Sequence, residues 1–270
     1  MRILVLLFAA LPLFAQNFVN AKVTRIDAAT RGAGAAVGNA SGWFAWTVPT
    51  AGVSICCSWE GNGGSCCGRC SLEGNRGFSI NRPEADEPRP RGEALLVMRV
   101  ANGAVKRVRL YSATCEIEGQ GNTITLLTNV TPESSIDYLV SRMRDADDEG
   151  ELMAALSMHH HARVVPELIN LARNDPNREV RRHAIFWLGQ KAGDKAAAEL
   201  RRTVDQDPDV DLKEHAVFAI SQLPRERSVP LLMDLAKTHK NAAVRKKAMF
   251  WLAQTGDQRA IDLLEQILLP

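Results

Sequence analysis

Residues 164–259 repeat themselves every 32 residues, and a chain with that period has few ways to fold. In register, Val164-Val-Pro-Glu-Leu168 falls on Ala196-Ala-Ala-Glu-Leu200 and on Ser228-Val-Pro-Leu-Leu232. The second half of the unit matches better. Val180-Arg-Arg-His-Ala-Ile-Phe-Trp-Leu-Gly-Gln190 lies over Leu212-Lys-Glu-His-Ala-Val-Phe-Ala-Ile-Ser-Gln222 and Val244-Arg-Lys-Lys-Ala-Met-Phe-Trp-Leu-Ala-Gln254. A period of this length marks a solenoid, in which each unit buries its apolar face only by stacking on its neighbours.

Each unit reads as two helices. In residues 164–195, helix A covers about 163–173, Asn174-Asp-Pro-Asn177 makes a turn, and helix B covers about 178–191. Leu168, Leu171 and Ala172 give helix A one apolar face. Asp175-Pro176 and Asp207-Pro208 punctuate, because proline disfavours helix in the residue before it. The register extends back through residues 132–163 and forward into Ala260-Ile-Asp-Leu-Leu264, predicting about four units and a terminal helix over residues 132–270. The pattern Val180-Arg-Arg-His-Ala184 with Leu188-Gly189, and Val244-Arg-Lys-Lys-Ala248 with Leu252-Ala253, resembles the second helix of HEAT repeats. The likeness is to the short bacterial, phycobilisome-lyase-like kind. It covers half the chain and implies an α-solenoid. It implies no particular activity, since fold does not fix function.

On a helical wheel of helix B, Ala184, Ile185, Trp187 and Leu188 share one apolar arc with Val180, which predicts core. Trp251, in register with Trp187, is assigned to the same arc. Phe186, Phe218 and Phe250 fall roughly opposite the middle of that arc. Gln190, Gln222 and Gln254 recur one turn later, and Arg182, Glu214 and Lys246 one turn before. Helix B generally lines the concave side of such a solenoid. A ladder of Phe, Gln, Arg182 and Lys246 there is a candidate surface for a protein or an extended peptide. The alternative is that the phenylalanines fill the seams between neighbouring B helices. Arg181, Lys213 and Arg245 are expected to bridge one repeat to the next.

The other half differs. Residues 1–15 read as a signal peptide, with one basic residue, an apolar run of about twelve and a small residue at Ala15. The run is shorter than the roughly 20 residues of a membrane span, so the expected location is periplasmic or extracellular. Residues 16–131 read as a small β-rich domain, giving a two-domain α+β chain. Strand-like runs at 18–26, 43–48, 53–57, 94–100, 105–111 and 123–127 are separated by turn residues. Ala101-Asn102-Gly103-Ala104 predicts a hairpin, since Asn-Gly accepts the positive φ of a tight turn. Residues 31–39, rich in Gly and Ala, are expected to be a flexible loop, and residues 81–92 an exposed one.

All six cysteines lie here: Cys56, Cys57, Cys66, Cys67, Cys70 and Cys115. An even number in an exported domain points to disulfides, of unassigned connectivity. A zinc site built on Cys67-Gly-Arg-Cys70 with Cys56 or Cys57, or a catalytic thiol, is the other reading. Charge excludes a class of partner. Residues 17–130 carry 12 basic and 9 acidic groups and residues 131–270 carry 20 and 22, so neither half has the basic excess of a nucleic-acid binder. His159-His-His161 cannot converge on a metal while helical, because successive residues point about 100° apart. Asp145-Ala-Asp-Asp-Glu-Gly150 begins like a calcium loop but has Leu156 where a bidentate Glu belongs. No catalytic constellation, metal or cofactor is expected. The predicted function is that of an exported, non-catalytic interaction scaffold, the runner-up being a metalloprotein or enzyme with its chemistry at the cysteines.

Overall fold

The computed structural model of the 270-residue chain describes residues 18–51, 54–56, 70–73, 79–81, 91–113, 115–191 and 193–268. The signal peptide assigned to residues 1–15, together with Cys57, Cys66 and Cys67 and most of the 81–92 loop, lies outside them. Strands occupy the first half: β1 (Phe18–Val19), β2 (Lys22–Asp27), β3 (Gly42–Ala51), β4 (Ser54–Cys56), β5 (Cys70–Ser71), β6 (Ser79–Asn81), β7 (Arg91–Ala101), β8 (Ala104–Ser112), β9 (Ile117–Glu118) and β10 (Thr123–Thr128). Helices occupy the second: α2 (Pro132–Arg142), α3 (Glu149–Met158), α4 (Val164–Asn174), α5 (Arg178–Gly189), α6 (Asp194–Gln206), α7 (Val210–Ser221), α8 (Arg225–Thr238), α9 (Ala242–Ala253) and α10 (Gln258–Leu268).

The main sheet has five strands in the order β2-β10-β3-β7-β8. β3, β7 and β8 form an antiparallel meander, and β10 inserts parallel to both β2 and β3. Alternation along the strands sends side chains to two covered faces. Phe44, Trp46, Leu96 and Met98 join the core under the helices. Trp43, Ala45, Leu95 and Val97 join a second core with Phe18, Leu72 and Ile117, from the side of the small β1-β9-β5 sheet. The hairpin forms as read: Asn102 and Gly103 have φ of 51° and 77° between paired Ala101 and Ala104, the two positive angles of a type I′ turn.

Residues 31–39 are not a loop. Gly32–Val37 form a short helix, α1, with Ala33 and Val37 buried against α2. Its Ala33 N–H donates to Ser134 Oγ. A Gly/Ala run carries no helical stripe of its own, so only its tertiary neighbour reveals it.

Helices α4 with α5, α6 with α7 and α8 with α9 pack as antiparallel pairs joined by short turns. Each turn is built alike. Asn177, Asp209 and Asn241 cap the second helix of each pair, their side chains accepting from backbone N–H groups in its first turn. Arg181 then donates to Asp175 O and Pro176 O, Lys213 to Val204 O and Asp205 O, and Arg245 to His239 O and Lys240 O. These cations close the turn inside their own unit, rather than bridging repeats as expected. They satisfy carbonyls that the first helix leaves open at its C-terminus. Bridging falls to Arg178, 2.6 Å from Asp209 and 2.9 Å from Asp211 of the next unit. On the outer layer, buried Glu199 accepts from Arg173 and Arg202. Burial alone would raise its carboxyl pKa, but the two guanidinium bonds outweigh it and hold the carboxyl below its usual value.

One core runs without a break from the sheet through every helix pair. At residues 131/132 the secondary structure changes, but the packing does not divide. Trp46 of β3 donates from Nε1 to Ser135 Oγ at 2.8 Å, and Ser135 Oγ lies 2.8 Å from His159 Nε2. His159 Nδ1 lies 2.9 Å from Ala155 O. A carbonyl only accepts, so Nδ1 carries the proton and Nε2 accepts from Ser135. Arg142 caps the hairpin at Gly103 O, and Arg109 of β8 pairs with Glu151 of α3. The sheet therefore seats the first helix pair as a cap seats the end of a solenoid.

Candidate concave binding surface

The second helices α3, α5, α7 and α9 pack face to face along the stack, whereas the first helices barely touch one another. The more closely packed layer lies at the smaller radius, so the stack curves with α3, α5, α7 and α9 inside. Gly189 sets the tightest approach. A Cβ built there would lie 2.5 Å from Ala219 O.

The phenylalanines both fill the seams and show a face to solvent. Phe186 stacks on Phe218 at 6.2 Å between ring centroids, with 20° between planes. Phe218 meets Trp251 of the next helix at 5.0 Å, and Phe250 lies edge-on to Trp251 at 5.0 Å. Phe186 and Phe218 are half-buried, and Phe250 is 53% exposed. The ladder is thus Phe186, Phe218, Trp251 and Phe250 in contact across three units. Trp187 is core, 7% exposed, but Trp251 is only partly buried and belongs to the ladder. Its position at the edge of the apolar arc is the signal that a strict core assignment missed.

Polar groups rim the ladder. Gln190, Gln222 and Gln254 are the C-cap residues of α5, α7 and α9, with Gln222 and Gln254 exposed. Arg182 is paired with Glu179 at 2.7 Å, Glu214 lies 3.8 Å from Lys247, and Lys246 is exposed. His183 and His215 occupy one position in successive units, and His215 lies 5.8 Å from Phe218. Burial, reinforced by the Arg182 charge, lowers both imidazoles, that of His215 to about 4. Both are neutral at pH 7, so the surface there is apolar with hydrogen-bonding capacity and little net charge. Such a surface suits a chain with apolar side groups and an exposed backbone.

The remaining candidates have structural roles. Ser135 and His159 make a serine–histidine contact, but both are buried and Ser135 Oγ already accepts from Trp46, so no substrate reaches it. His161 pairs with Glu133 at 2.9 Å. In the acidic run, Asp148 caps α3 and Asp147 pairs with Lys106 at 2.8 Å. Cys70 and Cys115 are buried and each is in a disulfide. Of Cys56 only the backbone is described, at the end of β4. Among the described residues no group of three or more His, Cys, Asp or Glu could hold a metal ion, and no helix is long and apolar enough to cross a membrane.

No curated relative matches the chain. A solved structure, the complex of CpcE and CpcF of phycocyanin lyase from Nostoc sp. PCC7120, is similar at 16% identity and a TM-score of 0.39, over 51% of this chain and 91% of that one. Residues 200–269, from the middle of α6 through α10, match the family described as HEAT repeats, so the resemblance read from the helix-B sequences holds over that part of the chain.

Proposed function

We infer that this protein is an exported, non-catalytic interaction scaffold: a cysteine-bearing β cap followed by four HEAT units and a terminal helix. Its concave layer binds an extended segment of a partner protein. The observation that carries this reading is the aromatic ladder. Phe186, Phe218, Trp251 and Phe250 touch in series across three units yet remain partly open, beside a rim of glutamines. Apolar side chains of the bound segment would lie on the rings. The Gln222 and Gln254 amides would pair with its backbone. The runner-up places chemistry at the cysteines, where Cys70 and Cys115 are already committed to disulfides.

The test is selection of a phage-displayed random peptide library on the purified chain. Peptides should be enriched whose binding falls at least about tenfold, roughly 1.4 kcal/mol, in Phe218→Ala or Gln222→Ala. Arg201→Ala, on the outer layer, should leave them bound. Enrichment that is indifferent to Phe218 and Gln222, or none at all, would remove the reading.

A further inference from the structure

A solenoid needs a polar outer face or a cap at each end. The sheet covers one end here, but the other is bare. Of the five exposed large hydrophobic side chains among the described residues, three, Phe250, Ile261 and Ile267, lie on α9 and α10. Comparison at equivalent positions shows what is missing. Ile185 of α5 and Val217 of α7 are fully buried by the next second helix, but their equivalent Met249 is only half-buried. Gly189 is buried and Ala253 exposed. Leu168, Leu200 and Leu232 are each buried by the second helix of their own unit, whereas Leu264 of α10 is half-exposed. Leu171 and Leu235 are buried, and Ile267 is 38% exposed. The two bare stripes, one on α9 and one on α10, border the slot that a second helix would fill.

We propose that a second copy of this chain fills the slot, with α9 of each copy seated between α9 and α10 of the other. This is an isologous, two-fold, four-helix packing, in which each helix contacts the same surface it presents. Charge favours this occupant. α9 carries Arg245, Lys246 and Lys247 and no carboxylate, while α10 carries Asp262 and Glu265 against one Arg259. Setting α9 against the α10 of a second copy brings basic groups to acidic ones. A two-fold axis passing Phe250 also keeps the two Lys246 side chains apart. Each lies four residues from the axis, which in antiparallel helices separates them by about 12 Å. Phe250 would then be covered about as far as Phe186 and Phe218 are, and the aromatic ladder would continue across the axis into the second copy.

Sedimentation equilibrium of the full chain at micromolar concentration tests this. The expected result is a dimer. Ile267→Glu should give a monomer with unchanged circular dichroism and melting, because the side chain is already exposed. Lys246→Glu should weaken the dimer by about tenfold, and Lys246→Glu with Glu265→Lys should restore it, since each copy then carries both exchanged charges. A wild-type chain that stays monomeric at high micromolar concentration overturns the proposal and leaves the slot to a helix from another protein. A dimer that survives Ile267→Glu overturns it too. Peptide binding by the monomeric Ile267→Glu chain stays a separate readout, because Ile267 does not touch the ladder.

Discussion

Acidification should loosen the joint between sheet and helices through His159. The ring is 2% exposed and held neutral, its Nδ1–H donating to Ala155 O and its Nε2 accepting from Ser135. Burial pushes its pKa down to about 4, and the nearby His161 and Lys191 add to the depression. Unfolded, the same group titrates near 6.5. A depressed pKa means that above pH 6.5 neither state binds the proton and the joint has its full stability. Between 6.5 and 4 the unfolded chain takes up a proton that the folded chain refuses, so stability falls with pH. At pH 5 the loss from this one group is about 2 kcal/mol. Urea unfolding at pH 7.5 and at pH 5, followed by tryptophan fluorescence and circular dichroism, measures it. His183 and His215 shift in the same direction, so the wild-type loss exceeds that figure. His159→Gln isolates the single contribution, because its acid loss should be smaller by about 2 kcal/mol. Equal losses in the two proteins would refute the argument. So would an NMR titration in which the His159 ring of the folded chain protonates near pH 6.5.

Three further outcomes are expected. Gly189→Ala should destabilise by about 1–3 kcal/mol through overpacking against Ala219, although intrinsic helix propensity alone favours the change by about 1 kcal/mol; a stabilised variant in urea melts would show that α5 and α7 do not approach as closely as described. Trp187→Ala, in the core, should cost about 3–5 kcal/mol, whereas Phe218→Ala, half-open in its seam, should cost distinctly less, and equal losses would mean that the ladder is packing alone. A chain beginning at Pro132 should keep helical circular dichroism but lose amide protection in α2 and α3, because Ile136, Leu139, Leu152 and Met153 belong to the core that the sheet shares; full protection in hydrogen exchange would make the sheet dispensable.

The helices were legible because their period and turn chemistry repeat. Asn177, Asp209 and Asn241 fall 32 residues apart and cap three second helices. The Asn102-Gly103 turn was legible because two positive φ angles select those residues. What escaped depends on partners distant in sequence. β10 pairs with β2 about a hundred residues away, and nothing local in Thr123–Thr128 announces that it lies between β2 and β3. α1 exists because α2 covers it. His159 looked like part of an exposed histidine run, and only the fold supplies its Ser135 and Trp46. On the candidate surface, the phenylalanines could be placed by angle, but the wheel cannot say how far a neighbouring helix covers them. Trp251 shows the difference, exposed where Trp187 is buried.

The insertion of β10 between β2 and β3 also sets an order of events in time. The helix pairs make contacts a few tens of residues apart, which form quickly. The main sheet cannot close until Thr128 has joined Lys22 and Trp43, and that large loop must be ordered before any pairing rewards it. A chain emerging from its N-terminus therefore carries β2 and β3 without their common neighbour for about a hundred residues. Because α2 begins four residues after β10 ends, sheet closure and the seating of the first helix pair form one late step. The early strands need shielding over that interval, and the repeats that follow add one by one to an end that has just been made.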